Sequence, residues 1–339
     1  MEDKPFFSQG AYGCAMYPRI TCKGNITKEK QKQKQKRTKH RIMSKIVEKS
    51  MISNNEIKMG KIVNQLMKGK KNKELIGVSR SCETKYENVS NMKQCNIVSK
   101  KRTKSQQFLI LYSRYIPSVT LRTYLYEDFT RRKWLKTYTF LLNALRILQK
   151  ENIVHHDLTA NNIIVSNKKH NYHIIDFGLS FCIQDCFIDQ GLNIKYLKML
   201  FFPDTSFYLW PIDHHILGYM VRNERVPSQD ELMYLIRTYY GNKDNVLFAS
   251  DLEQYILDVY AFYEEQYIYS VMNIEDHIRD LITHASLTWD LYTISYTLLR
   301  RLMSNPISDL KYMQSFLNQA LHYDYTKRPS LRDHRKVLQ

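Results

Sequence analysis

Aromatic and β-branched residues surround small ones over residues 5–23 (PFFSQGAYGCAMYPRITCK), which predicts a strand, a tight turn and a second strand. Residues 24–40 break the pattern. Alternating lysine and glutamine with almost nothing apolar cannot face a core, so this stretch reads as a disordered loop between strands. RIMSKIV is a short strand candidate. NNEIKMGKIVNQLMK then places Ile57, Ile62, Val63 and Leu66 at helical spacing, with Asn as N-cap. Residues 67–105 are polar, basic and poorly patterned, whereas QQFLILYSRY reads as a buried strand. From about residue 121 helices dominate. RKWLKTYTFLLNALRILQKEN puts Trp134, Leu135, Tyr138, Leu141, Leu142, Leu145 and Leu148 on one broad face. Two strand-like runs follow, NIIVS and YHIIDF, joined by a polar turn. Helical patterns recur in DELMYLIRTYY, DLEQYILDVYAFYEEQY and DLYTISYTLLRRLM, and there is no internal repeat. A β-rich first third and a helical remainder predict an α+β protein with two lobes and a cleft between them.

Charge sharpens this picture once it is located. Residues 23–104 carry 24 Lys and Arg against 6 Asp and Glu, which equals the whole net charge of +18, so the remainder is neutral. Such a block is a solvated basic surface or arm, or else an electrostatic attractor for nucleic acid, acidic lipid or acidic protein. In residues 28–39 no aromatic side chain is interleaved, so any contact with a polyanion is expected to be blind to sequence.

The six cysteines (Cys14, Cys22, Cys82, Cys95, Cys182, Cys186) follow no disulfide-framework or zinc spacing. They are expected to be reduced and structural, as in a reducing compartment. His214 and His215 have no third ligand at metal spacing and read as surface or packing residues. The first residues, Met-Glu-Asp-Lys, lack a secretory pattern, and no stretch approaches the ~18 apolar residues of a membrane span. A soluble intracellular protein without membrane contact is the expectation.

The chemistry lies in HHDLTANNIIV (His155–Val165) and HIIDFGLS (His173–Ser180). Phosphoryl transfer needs a carboxylate near the acceptor hydroxyl and oxygen ligands for Mg2+. Asp157 and Asn162 stand five positions apart, and Asp176 follows 14 positions later, after a short hairpin. These residues resemble the catalytic loop and metal-binding motif of eukaryotic-type protein kinases.

That resemblance implies a bilobal α+β fold, with a small β-rich N-lobe (1–115, carrying basic insertions at about 24–40 and 67–105) and a larger, mostly helical C-lobe (116–339). It implies ATP and Mg2+ as cofactors and protein substrates. SQGAYGCA resembles the glycine-rich loop, with Ser8 in the first glycine place, Gly10 and Gly13 in the others, and Tyr12 at the tip. Lys45 stands where the phosphate-contacting lysine belongs and Glu56 where its ion-pair partner does. Ala15 and Ile164 would sandwich the adenine, with the hinge within Leu111–Tyr115. Asp213, in WPID, resembles the acid ending the activation segment, Asp290 the helix acid that buttresses the catalytic loop, and Arg328 the late arginine that pairs with Asp213. SQGAYGC, SKI and NEIKMGKIV further resemble the divergent Ser/Thr kinases of large nucleocytoplasmic DNA viruses, which would put the chain in host cytoplasm or virion.

Three departures modify the expectation. His156 replaces the arginine that usually receives a phosphorylated activation-loop residue, and an imidazole is a poor substitute for a guanidinium. Thr159 replaces the lysine common two residues after the base in Ser/Thr kinases. Asp-Leu-Thr-x-x-Asn with IDFGLS also resembles the small atypical kinases of the tRNA-modifying complex, which act partly as ATPases; Asp213, Asp290 and Arg328 argue against them. A small-molecule kinase on the same fold, or a pseudokinase scaffold docking nucleic acid through residues 23–104, are the other readings. The intact set Lys45, Glu56, Asp157, Asn162 and Asp176 argues against a pseudokinase.

Overall fold

The computed structural model describes residues 6–10, 13–23, 41–70, 74–89, 92, 94–99, 106–127, 129–242 and 251–338. The basic stretch 24–40 and Tyr12 therefore lie outside the described residues. In chain order the first elements are β1 (Phe6–Gln9), β2 (Gly13–Tyr17), β3 (Ile42–Glu48), α1 (Met51–Leu66), β4 (Arg80–Lys85), α2 (Tyr86–Val89), α3 (Asn96–Ser99), β5 (Gln107–Arg114) and β6 (Ser118–Thr120). Then come α4 (Leu121–Glu127), α5 (Arg131–Gln149), β7 (Ile153–Val154), β8 (Ile163–Ser166), β9 (Tyr172–Ile174) and β10 (Phe181–Cys182). The remaining helices are α6 (Ile194–Leu200), α7 (Ile212–Asn223), α8 (Gln229–Tyr240), α9 (Leu252–Tyr263), α10 (Ile274–Asp280), α11 (Ser286–Ser304), α12 (Lys311–Gln319) and α13 (Leu331–Lys336). The architecture is α+β, β-rich at the N-terminal end and mostly helical beyond it, as in a kinase-like fold. The chain divides into two compact units: Met1–Leu121 with Asn162–Ser180, and Arg122–Asn161 with Phe181–Gln339.

The first unit is built on an antiparallel sheet of order β1-β2-β3-β5-β4. β5 lies between β3 and β4, and its unbroken apolar run serves both faces because side chains alternate along a strand. Phe108, Ile110 and Tyr112 join Cys14, Met16 and Ile46 on one side; Leu109 and Leu111 join Val47, Val78 and Ile57 of α1 on the other. Helix α1 starts earlier than the asparagine cap expected from sequence. Its N-cap is Ser50, whose hydroxyl accepts from Ser53 N while the Ser53 hydroxyl accepts from Ser50 N. A Cβ at Gly60 would fall 2.5 Å from Val78 N, and one at Gly77 2.5 Å from Gly60 O. Two glycines thus let α1 lie backbone against backbone on the segment before β4. A second small sheet, β6-β8-β9, completes the unit.

Within residues 67–105, the described residues include regular elements that the sequence pattern did not show. These described residues supply the edge strand β4 and cover a sheet face with Val89, Met92, Cys95 and Val98. The cysteine expectation is likewise corrected: Cys14 is bridged to Cys95 and Cys22 to Cys82, across sequence separations of 81 and 60. Only the folded sheet brings these residues together, so their spacing carried no signal. In the chain-entropy picture a loop of this length restrains the unfolded chain by about 4 kcal/mol. The outer bridge adds less than that, since the inner one already shortens its loop to about 20 residues. Cys182 and Cys186 are in no disulfide.

The second unit is mostly helical. α5 begins at Thr130, whose hydroxyl accepts from Lys133 N, and buries Trp134, Tyr138, Leu141, Leu142, Leu145 and Leu148. A larger core gathers Phe181, Leu197, Phe201, Ile216, Met220, Leu232, Ile236, Tyr239 and Trp289. DELMYLIRTYY, DLEQYILDVYAFYEEQY and DLYTISYTLLRRLM fall on α8, α9 with the turn after it, and α11. Among the described residues no helix is long and apolar enough to cross a membrane.

Candidate active site

Lys45 sits in the middle of β3, paired with Ala15 of β2 and Leu111 of β5, so its stem is fixed from both sides. Its ammonium lies 3.0 and 3.1 Å from the two Glu56 oxygens and 3.0 and 3.1 Å from the two Asp176 oxygens. Glu56 is buried on α1. Burial opposes the charge of Lys45, but Asp176 and Glu56 outweigh it and hold the ammonium protonated above the ordinary lysine range. Burial pushes the Glu56 carboxyl up; Lys45 pulls it down, and Asp176 pushes it up again. Two carboxylates share one cation, so the cluster carries surplus negative charge.

The β8–β9 hairpin carries the next two candidates at one end. Ile163 pairs with Ile174, and beyond that pair Ile175 N donates to Asn162 O at 2.9 Å. Asn162 and Asp176 thereby flank the same end of the hairpin. Asp176 takes a left-handed φ of 64°. An amide and a carboxylate beside surplus negative charge are oxygen donors suited to a hard divalent cation, so the residues present fit Mg2+. Asn55, which the sequence reading missed, stands next to Glu56. Its Nδ2 donates to Gly178 O at 2.9 Å and Ser180 O at 2.8 Å. One turn of α1 therefore holds both Lys45 and the chain after Asp176.

At the turn between β1 and β2, Gly10 N donates to Gly13 O at 2.8 Å. A Cβ at Gly13 would meet Ile46 O at 2.6 Å and Lys45 Cε at 3.4 Å, so only glycine allows this approach of backbone to the Lys45 stem. Ser8 is exposed on β1 opposite Ala15; Tyr12 is not among the described residues. Ile164, half-buried on β8, pairs with Thr120 and His173. Leu111–Tyr115, where the hinge is expected, is ordered strand for most of its length. β5 stays in the sheet to Arg114, paired with Ile42, and Tyr115 N still bonds Arg41 O at 2.8 Å.

In the second unit Asp157 follows two buried histidines, and its N–H donates to His155 Nδ1 at 3.3 Å. Asp290 of α11 accepts the N–H groups of His155 at 2.7 Å and His156 at 2.9 Å. Burial pushes its carboxyl up to about 6, against the pull of those two N–H groups. His156 has a left-handed φ of 68°, and its carbonyl accepts from Trp210 Nε1 at 2.6 Å. Its ring stacks on Trp210 at 5.0 Å, and its Nε2 lies 2.7 Å from His214 Nε2. His214 and His215 are wholly buried, hence packing residues. Arg328 Nη2 lies 2.5 Å from Asp213 Oδ1, and Trp289 Nε1 donates to Asp213 Oδ2 at 2.7 Å. Trp289 also escaped the sequence reading, although it directly precedes Asp290.

No curated protein matches the chain. Residues 32–187 match the family model of the protein kinase domain, a span that includes Lys45, Glu56, Asp157, Asn162 and Asp176.

Proposed function

We propose that the chain is an ATP- and Mg2+-dependent kinase that phosphorylates serine and threonine hydroxyls of protein substrates. The observation that carries this reading is the Lys45 ammonium shared by Glu56 and Asp176. In this reading Lys45, Ser8, Gly10, Tyr12 and Gly13 hold the phosphates, and Ala15 and Ile164 contact the base. Asn162 and Asp176 hold Mg2+, whose chemistry when bound is to neutralise phosphate charge. Asp157 orients the acceptor hydroxyl and takes its proton at the carboxylate. Asp290 fixes the backbone before Asp157, while the Asp213–Arg328 pair holds the chain near Trp210.

The matched kinase domain supports protein substrates generally. The lean to Ser/Thr, and to the kinases of large nucleocytoplasmic DNA viruses, rests on sequence motifs. The basic stretch 24–40 is read as a polyanion contact. Deleting residues 26–39 should weaken DNA, RNA and acidic-peptide binding at low salt, with the difference fading as salt rises. The test of the main reading is labelled ATP with a degenerate peptide library containing serine, threonine and tyrosine, beside Asp157→Asn. Label on Ser/Thr peptides from the unaltered chain alone is the expected result. Equal labelling by both proteins would refute it.

A further inference from the structure

We infer that the two disulfides form a redox latch on the nucleotide-binding turn. The inference rests on the nucleotide-binding role proposed above; both bridges lie within the first unit. The segment from β4 to α3 covers the sheet face opposite α1, burying Val89, Met92, Cys95 and Val98 against Cys14, Met16, Ile46 and Phe108. It also grips both strands that flank the Gly10–Gly13 turn. Cys95, just ahead of α3, is bonded to Cys14, the residue after Gly13 on β2. Asn96 N donates to the Gln9 side-chain oxygen at 3.1 Å, at the end of β1. Cys14 in turn pairs with Ile46, and its neighbour Ala15 with Lys45, so the bridge and the Lys45 register share one short piece of strand.

The bridges differ in reach. Cys14 and Cys95 are wholly buried, whereas Cys22 and Cys82 are half-exposed and lie beside the Tyr112 hydroxyl, 3.6 Å from each sulfur. A thiolate therefore reaches the Cys22–Cys82 sulfurs first, because exchange requires access to the sulfur attacked. Each bridge opened takes two electrons and two protons from a thiol reductant, which leaves as its own disulfide. Each bridge closed returns them to a disulfide oxidant such as oxidised glutathione. With both open, β1 and β2 keep their strand pairing, their apolar contacts and the Asn96–Gln9 hydrogen bond, but no disulfide tie. The turn loses its covalent tie to α3, and nucleotide affinity falls.

The test uses the full chain, purified without reductant and then treated with dithiothreitol. Denatured protein should titrate two thiols before reduction and six after it. Affinity for a fluorescent ATP analogue with Mg2+ should fall at least about tenfold on reduction, 1.4 kcal/mol by affinity arithmetic. Oxidised glutathione should restore it. The paired substitutions Cys14→Ser with Cys95→Ser, and Cys22→Ser with Cys82→Ser, should lower affinity and blunt the response. Should they fail to fold, reversible reduction of the unaltered chain decides alone. Six thiols without reduction, or equal nonzero affinity in both states, would overturn the latch and leave the kinase reading standing. Redox-dependent binding without phosphotransfer would overturn the kinase reading and keep the latch. Absence of nucleotide binding in both states would overturn both.

Discussion

Arg328 and Asp213, 115 positions apart, pair at 2.5 Å with side chains at most 1% exposed. Neither charge can be taken away without stranding the other in the core. Arg328→Ala should destabilise the chain by about 3–5 kcal/mol, read from denaturant unfolding. Replacing both partners with apolar residues of similar volume should cost far less. Equal losses for the single and double replacements would contradict the pairing.

Lys45→Ala leaves Glu56 and Asp176 facing each other without a cation. Phosphotransfer should fall by about 10²–10³-fold. Glu56→Gln, which keeps the shape and removes one carboxylate, should mainly raise the KM for ATP. Steady-state kinetics with both variants separates the two roles.

Asp157→Asn and Asp176→Asn should part company. The first should lower kcat by about 10²–10⁴-fold while nucleotide affinity barely moves. The second should also weaken Mg2+-dependent ATP binding. Equilibrium binding of the nucleotide, with and without Mg2+, is the discriminating measurement.

Acid should destabilise the second unit. Burial pushes His214 well below 6.5, with His156 and His215 adding to it, and pushes His215 and His334 to about 4. Above about pH 6.5 these rings are neutral whether folded or not, and stability is whole. Between about pH 6.5 and 4 the unfolded chain takes up protons that the fold refuses, so stability falls as pH falls. Asp290 acts oppositely, since its raised pKa gives the fold a proton between 3.8 and about 6. Glu56, also raised by burial, does the same in the first unit. The histidines outnumber these two carboxyls, and each net proton contributes about 1.4 kcal/mol per pH unit. Unfolding midpoints measured from pH 7 to 5 should decline steadily; a flat profile would refute this.

His156 presents no guanidinium to a phosphate; its ring is packed against Trp210 and His214. Phosphorylation at Tyr196, Thr205, Ser206 or Tyr208 should therefore be dispensable, and Ser180 is buried in any case. Phosphatase-treated protein should keep most of its rate. Loss of nearly all activity, restored by rephosphorylation, would show otherwise.

What could be read from sequence was what is local. Asp157, Asn162 and Asp176 stand within 20 residues, and Lys45 and Glu56 are 11 apart on a strand and the helix after it. An unbroken apolar run marked β5, and a helical period repeated over several turns marked α5. β4 was missed because Thr84 is its one fully buried side chain, and α2 and α3, at four residues each, are too short to show a repeat. The disulfides depend on sheet order, which no spacing encodes. Asn55 acts on backbone carbonyls more than 120 positions away, so no side-chain pattern announces it.

The adjacency of Asn55 and Glu56 bears on inhibition. A compound that required α1 displaced would have to break the Lys45 ion pair and both Asn55–carbonyl bonds in a single event. Such a ligand should associate slowly and, once the helix has moved, depart slowly too. A ligand that leaves α1 in place meets no such barrier, so the two chemotypes should separate by residence time even at matched affinity.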